Sequence, residues 1–337
     1  MTNIKLNKTD DSAVEIEGEI ATEKLEAKRA GVLKQFNDQV KIDGFRSGHI
    51  PEKILMEHVG EMAILEEMAE QALSEAYPSI LIEHEVEAIG RPEITITKLA
   101  AGNPLGFKAK QAVMPEIKLP DYKKIAGDIT KDPLPEAVAT DEEVTKILED
   151  VRKSRTPEGS EVPELNDEFA KTLGNFETIE QLKNQIKENI GHEKAHENVS
   201  KRRIAIMDKI LGEMSFAMPA ILVDRELENM MGGLKNDLAR TGIVWDDYLK
   251  HIKKTETEIR DGMRNDADRK ARIGLVLRAI AAAEKIEIPA DELELETAKV
   301  LDYYKGADAE AARHYVEGVL KDEQVLKLLE GDTGHSH

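Results

Sequence analysis

The chain has 337 residues, no cysteine and a formal net charge of −20. Disulfide and thiolate chemistry are therefore excluded, and an evenly acidic surface would repel nucleic acid. Hydrophobic residues make up 40%, charged residues 34% and aromatics only 4%, a balance that suits long helices with broad solvated faces better than one large core. No apolar run approaches the roughly 20 residues that span a bilayer. The first residues also lack the apolar stretch of a signal peptide. The expectation is a cytoplasmic protein of roughly two or three domains, with no membrane or DNA partner.

Ile4 and Leu6 alternate, then Val14, Ile16, Gly18 and Ile20 alternate, with Thr9-Asp10-Asp11-Ser12 between them. This pattern predicts a β-hairpin. Thr22 is the expected N-cap of a helix carrying Leu25, Val32, Leu33, Phe36 and Val40. A short helix is expected from Pro51 to about Gly60. A longer one follows through Met62, Leu65, Ala69, Ala72, Leu73 and Ala76, broken or kinked by Pro78. Ile94 and Ile96, then Phe107, Ala109, Gln111 and Val113, predict two closing strands. Paired strands, helices and paired strands again make an α+β domain.

Between the first two helical patterns lies Gly44-Phe45-Arg46-Ser47-Gly48-His49-Ile50-Pro51. Gly44 and Gly48 permit backbone angles that other residues avoid, and Pro51 suits the first turn of a new helix. A tight exposed loop with an aromatic and a guanidinium at its tip is expected. That pairing is over-represented at interface hot spots, although a plain turn with Phe45 folded under it fits the same residues. Lys28, Arg29, Lys34, Lys41, Arg46 and Lys53 outnumber Asp38, Asp43 and Glu52 here, so the region is locally basic on an acidic chain.

These residues carry a family resemblance. Gly-Phe-Arg-x-Gly-x-x-Pro resembles the ribosome-docking signature of bacterial trigger factor, the chaperone that meets nascent chains at the exit tunnel. The order of strands and helices up to Pro115-Glu116-Ile117-Lys118-Leu119 resembles that family's N-terminal domain. The resemblance implies ribosome binding through Gly44, Phe45, Arg46, Ser47, Gly48 and Pro51. Members usually carry Lys after the Arg, and Ser47 departs from that pattern.

Residues 120–140 hold Pro120, Pro133 and Pro135 among many charges and predict a mostly extended linker. Thr140 to Glu143 is a capping box opening a helix to about Ser154. A loop over residues 155–163 follows. Typical trigger factors insert an FKBP-type prolyl isomerase domain at about this point. Glu164-Leu165-Asn166-Asp167-Glu168-Phe169 resembles the segment just after it. A loop this short leaves no room for a domain of roughly 100 residues, so isomerase activity is not expected.

From Thr178 onward the pattern is helical. Thr178 to Gln181 is a second capping box, opening a helix to about Met214. Pro219, Trp245, the Thr255–Glu258 box, Pro289 and Asp308 open the helices that follow. The expected organisation is a ribosome-binding α+β domain at 1–116, then a linker with a helix and short loop at 117–163. An elongated all-α domain that holds clients follows at 164–331, with a flexible tail at 332–337.

His192-Glu193-Lys194-Ala195-His196 matches H-E-x-x-H, the pattern that sets two imidazoles on one helix face with a glutamate as base. Its surroundings, Lys187, Glu188, Glu197, Asn198, Lys201, Arg202 and Arg203, are those of a solvated helix, so no metal or catalytic role is assigned. No glycine-rich phosphate loop or Gly-x-Ser-x-Gly elbow is present, and no cofactor is expected. Met207, Met214, Met218, Met230 and Met231 concentrate flexible, polarisable side chains in one part of the helical body. Met214, Met218, Ile221, Leu222, Met230 and Met231 are the candidate client-binding residues, against the alternative that they fill gaps between helices.

The resemblance therefore implies an ATP-independent chaperone, not an enzyme. It would dock at the ribosomal exit tunnel and hold nascent or unfolded polypeptides. A ribosome-independent holdase or assembly chaperone is the alternative, and a zinc hydrolase through His192 and His196 a lesser one. Whether the chain forms a homodimer stays open.

Overall fold

A computed structural model describes residues 2–156 and 162–331 of the chain. The packing divides into two units. One comprises the chain to Ile117 together with Phe216–Arg272, and the other Lys118–Ser215 together with the chain from Ile273.

In the first unit, β1 (Thr2–Thr9) and β2 (Ala13–Ile20) form the expected hairpin, as do β3 (Glu93–Lys98) and β4 (Leu105–Ala112). The hairpins join through β2 and β4 into an antiparallel sheet of order β1-β2-β4-β3. Alternation separates its two faces. Val14, Ile16, Ile20, Leu105, Phe107 and Ala109 are buried on one. Gly18 lies on the same face, where an added Cβ would come within 2.3 Å of Ile4 Cδ1 and 3.3 Å of the Phe107 ring. On the other face Lys108 bridges Glu15 and Glu17 at 3.0 and 3.2 Å, and Lys110 pairs with Asp11 at 2.6 Å.

The buried face packs on α4 (Glu61–Glu83), with Leu25 and Val32 adding to the same core. Two expectations for the first helix fail here. Ala21, not Thr22, occupies the N-cap, and the helix expected over this stretch is two: α1 (Thr22–Glu26) and α2 (Arg29–Gln39). Pro78 does not break α4, which continues to Glu83. An interior proline costs roughly 3 kcal/mol. Buried residues from Ile64 to Ile80, including Tyr77 beside the proline, hold both halves of the helix to the core and offset that cost. Buried Tyr77 donates to Gln111 Oε1 at 3.2 Å, and Gln111 donates in turn to the Ile89 and Ala112 carbonyls.

The rest of this unit is a helical hairpin of α9 (Ala220–Arg240), α10 (Trp245–Ile252) and the first part of α11 (Glu256–Ala283). Its apolar seam centres on Val223, Leu227 and Ala267, with Met218, Met230 and Met263 against them, and Met231 and Ile259 are buried further along the two helices. Ion pairs bridge the two long helices along the seam. Arg264 meets Asp224 at 3.0 Å, Arg260 meets Glu228 at 2.7 Å, and Lys235 meets Glu256 at 2.9 Å.

The second unit is helical among its described residues. The linker is not simply extended, because α5 (Tyr122–Thr130) forms within it, capped by Asp121 and burying Ile125 and Ala126. Tyr122 donates to Glu284 at 2.5 Å, and burial together with that carboxylate pushes its phenol up to about 12. The extended part that follows lies along α8 (Ile179–Gly212). Arg202, Asn198 and Lys194, one turn apart, donate to the carbonyls of Asp132, Pro135 and Val138 at 2.7, 3.0 and 2.9 Å. A Cβ on Gly191 would sit 3.1 Å from the Ala137 carbonyl, so the close approach uses the bare glycine.

The Thr140–Glu143 capping box opens α6 (Asp141–Ser154) as expected. Asn166 caps α7 (Asp167–Leu173). At Thr178 the cap is less regular: its hydroxyl accepts from Gln181 N, but Gln181 reaches back to Glu177 N. The hairpin of α12 (Ala290–Tyr303) and α13 (Ala309–Leu329) completes the unit, with Asp308 capping α13. Arg203 of α8 binds α13 twice. It donates to both oxygens of Glu323 at 2.9 Å and to both of Glu330 at 3.0 and 2.9 Å.

Candidate functional site

The segment between α2 and α3 (Glu52–Val59) forms the expected loop. It consists of two successive turns. Phe45 N donates to the Ile42 carbonyl at 3.1 Å, and His49 N to the Arg46 carbonyl at 3.0 Å. The third residue of each turn is a glycine at positive φ, Gly44 at 90° and Gly48 at 83°. Turns of this kind require that angle, which a side chain makes costly. Gly48 is constrained twice, since a Cβ there would also lie 3.0 Å from Asp38 Oδ1. The two turns hold Phe45 and Arg46 between them.

Phe45 is 39% exposed, so it neither folds under the loop nor fills a core. Arg46, Ser47 and Gly48 are exposed as well. Ile50 is buried and anchors the loop's return. Pro51 is the N-cap of α3 rather than part of its first turn, and Glu52 begins the helix. Lys28 is paired with Glu75, and Arg29 with Glu52 at 3.4 Å. Lys34, Lys41, Arg46 and Lys53 are exposed and make no ion pair among the described residues. The local basic excess is therefore available to a partner rather than spent internally.

Sequence reasoning missed the residue that holds this loop. Asn37, in the last turn of α2, donates from Nδ2 to the Ile50 carbonyl at 2.7 Å and accepts from Ile50 N at 3.0 Å. Its own carbonyl accepts from Gly48 N at 2.9 Å. An Asn thirteen positions before its partner gives no periodic signal.

The candidate client-binding residues divide. Met231 is buried at 1% exposure, as is Met207 at 2%, so both fill the gaps between helices. Met218 and Met230 are half-buried against the α9–α11 seam. Ile221 is 38% exposed, with Leu222 and Met214 half-buried. Ile221 Cδ1 also reaches over Gly90, where an added Cβ would meet it at 2.0 Å. Exposed apolar side chains lie elsewhere too: Ile243 and Val244 before α10, and Tyr303, Tyr304 and Tyr315 around α12 and α13.

His192 is 72% exposed, with Glu188 of the same helix 3.8 Å from its imidazole. His196 is exposed on the same helix. No group of three or more potential metal ligands comes together among the described residues. His335 and His337 lie outside those residues, as does the stretch 157–161 of the expected loop. Among the described residues no helix is long and apolar enough to cross a membrane.

Residues 2–151 match a family model described as bacterial trigger factor protein, and residues 178–330 match its C-terminus model. The trigger factors of Halalkalibacterium halodurans and Carboxydothermus hydrogenoformans are each 24% identical. The alignments cover 90% and 88% of this chain and 92% and 90% of theirs. At 396 and 387 positions they run longer than the chain's own 337 residues, so both relatives carry residues that it lacks. A solved structure reported for promiscuous substrate recognition in folding and assembly by the trigger factor chaperone shares the fold, with a TM-score of 0.55 at 19% identity. That likeness covers 99% of this chain and 100% of the other.

Proposed function

The chain belongs to the bacterial trigger factor family, and from that premise we propose that its ribosome contact is the Gly44–Pro51 loop, with Phe45 and Arg46 as the anchoring pair. Members of the family are ribosome-associated chaperones of nascent and unfolded chains, and this protein is a chaperone of that kind. The observation that carries the docking assignment is the exposed Phe45–Arg46 tip between two glycine turns. An exposed aromatic beside an unpaired guanidinium supplies both an apolar contact and a charged one. Phosphate or an acidic protein surface would complement Lys34, Lys41 and Lys53 around it.

Clients bind, on this reading, to the half-exposed side chains of Met218, Ile221, Leu222 and Met230 in the first unit. Met231 is left out because it is buried. Weak, adaptable contacts let a client leave as it folds, without nucleotide. The protein works in the cytoplasm and does not catalyse prolyl isomerisation. Only residues 152–177 separate the two matched regions, far fewer than an isomerase domain needs.

The test is co-sedimentation with ribosomes. Phe45→Ala with Arg46→Ala should lose most of the association while keeping the wild-type circular dichroism. Unchanged association would refute the docking assignment. If association is then absent in the wild type as well, while aggregation of an unfolded client is still suppressed, the holdase reading takes its place. Ser47, standing where the family usually has lysine, is what favours that second reading.

A further inference from the structure

We infer that Asn37 is a positioning residue for ribosome docking: it holds the Gly44–Pro51 loop in its binding shape before the partner arrives. The inference rests on the docking assignment above and adds what sets the affinity of that contact. Asn37 closes a ring on the loop. Its side chain takes both backbone polar groups of Ile50, at 2.7 and 3.0 Å, and its carbonyl takes Gly48 N at 2.9 Å. The far end of the loop is thereby tied to the last turn of α2, three residues before its C-cap, Val40. Ile50, gripped at both backbone atoms, is also the residue whose side chain is buried.

The rest of the loop has little to hold it. Its tip residues are exposed, and its two internal turn bonds each span only three residues. Glycines at both turn positions raise the conformational freedom of the free loop. Without a clamp, a partner would have to order residues 44–49 on binding, at a cost for each residue fixed. When only a fraction of the molecules holds the competent shape, the apparent affinity falls by that fraction.

The experiment compares Asn37→Ala with the Phe45→Ala/Arg46→Ala pair on the full chain. It measures affinity for purified non-translating 70S ribosomes, hydrogen exchange of the Gly48 and Ile50 amides, and the thermal midpoint. Loss of the side-chain bonds should weaken ribosome binding by roughly 5- to 30-fold. Both loop amides should exchange faster, and the midpoint should move little. Asn37→Asp serves if the alanine variant folds poorly. It keeps an acceptor for Ile50 N and loses the donor to the Ile50 carbonyl, so it should fall between wild type and alanine. Wild-type affinity in Asn37→Ala, with the Phe45/Arg46 pair impaired, would overturn the positioning role and leave the docking assignment standing. Weakened binding without faster loop exchange would overturn it too. Wild-type affinity in the Phe45/Arg46 pair would instead refute the docking assignment and this inference with it.

Discussion

Arg203→Ala should destabilise the second unit by more than any other single surface substitution in it. The guanidinium is 24% exposed and holds two carboxylates on α13, Glu330 at 17% and Glu323 at 40% exposure. Both pairs are bidentate, the geometry in which arginine binds carboxylate most strongly. Removal takes away four charged hydrogen bonds and leaves two like charges facing α8 without a counter-ion. Breaking a fully buried pair costs roughly 3–5 kcal/mol. The exposure of Glu323 lets water take up part of that loss, so about 2–3 kcal/mol is expected here. In a unit of this size that corresponds to a fall of roughly 4–12 °C in its midpoint.

Most of this cost comes from the stranded carboxylates rather than from lost attraction. Arg203→Met combined with Glu323→Gln and Glu330→Gln should therefore recover most of the midpoint, because an uncharged replacement of an ion pair is often neutral. Calorimetry on the single and triple variants reads both numbers. A midpoint within a degree of wild type for Arg203→Ala would refute the reasoning. So would a triple variant no more stable than the single one.

Glu143 gives a prediction in pH. The Lys194 ammonium at 2.7 Å, then the Thr140 backbone N–H, hold its carboxyl at about 2 rather than 4.5. Its contribution to the α6 cap is therefore complete above about 4.5 and fades as pH falls towards 2. The Thr140 amide shift should follow that titration in NMR, and Glu143→Gln should abolish it; a wild-type midpoint at the ordinary glutamate value would count against the assignment. Lys285 ends α11 in the left-handed region at φ 54°, with its own N–H donating to the Ala282 carbonyl and Ile286 N to that of Ala281. Glycine is the usual residue there, so Lys285→Gly should stabilise by roughly 0.5–1 kcal/mol. A loss of stability on denaturant titration would mean that the lysine side chain packs there.

How much of this was legible follows from the range of the interactions. Strand alternation around Ile16 and Phe107 and the capping boxes at Thr140 and Thr255 are local signals, and they predict what the chain does. The Gly-Phe-Arg loop is local too, because glycine angles and a proline stop are written in neighbouring residues. The errors lie where distant packing decides. Pro78 reads as a break or a kink, and the buried face of α4 is what carries the helix past it. Residues 122–130 read as linker because prolines flank them, although Asp121 before Tyr122 is itself a cap signal. Met231 and Ile221 look alike in sequence, yet one is buried and the other is 38% exposed. Asn37 carries no signal at all, since its partner is remote and any polar residue suits an exposed helix end.

On the proposed reading the two surfaces of the first unit solve opposite problems, and their construction differs accordingly. A docking contact recognises one partner, so it gains from a loop that is already in shape, and Asn37 supplies that shape by tying Gly48 and Ile50 to α2. A client surface meets many sequences, so it gains from side chains that can rearrange. The α9–α11 hairpin can leave such side chains half-exposed because its cohesion does not depend on them alone. Beside its buried seam, Arg264–Asp224, Arg260–Glu228 and Lys235–Glu256 bridge the helices. A wider apolar seam would hold the hairpin more firmly and would draw Met218, Met230 and Leu222 inward, as Met231 already is. Polar rungs therefore do more here than solubilise an acidic chain: they let the hairpin stand while its flexible apolar residues stay within reach of an unfolded one.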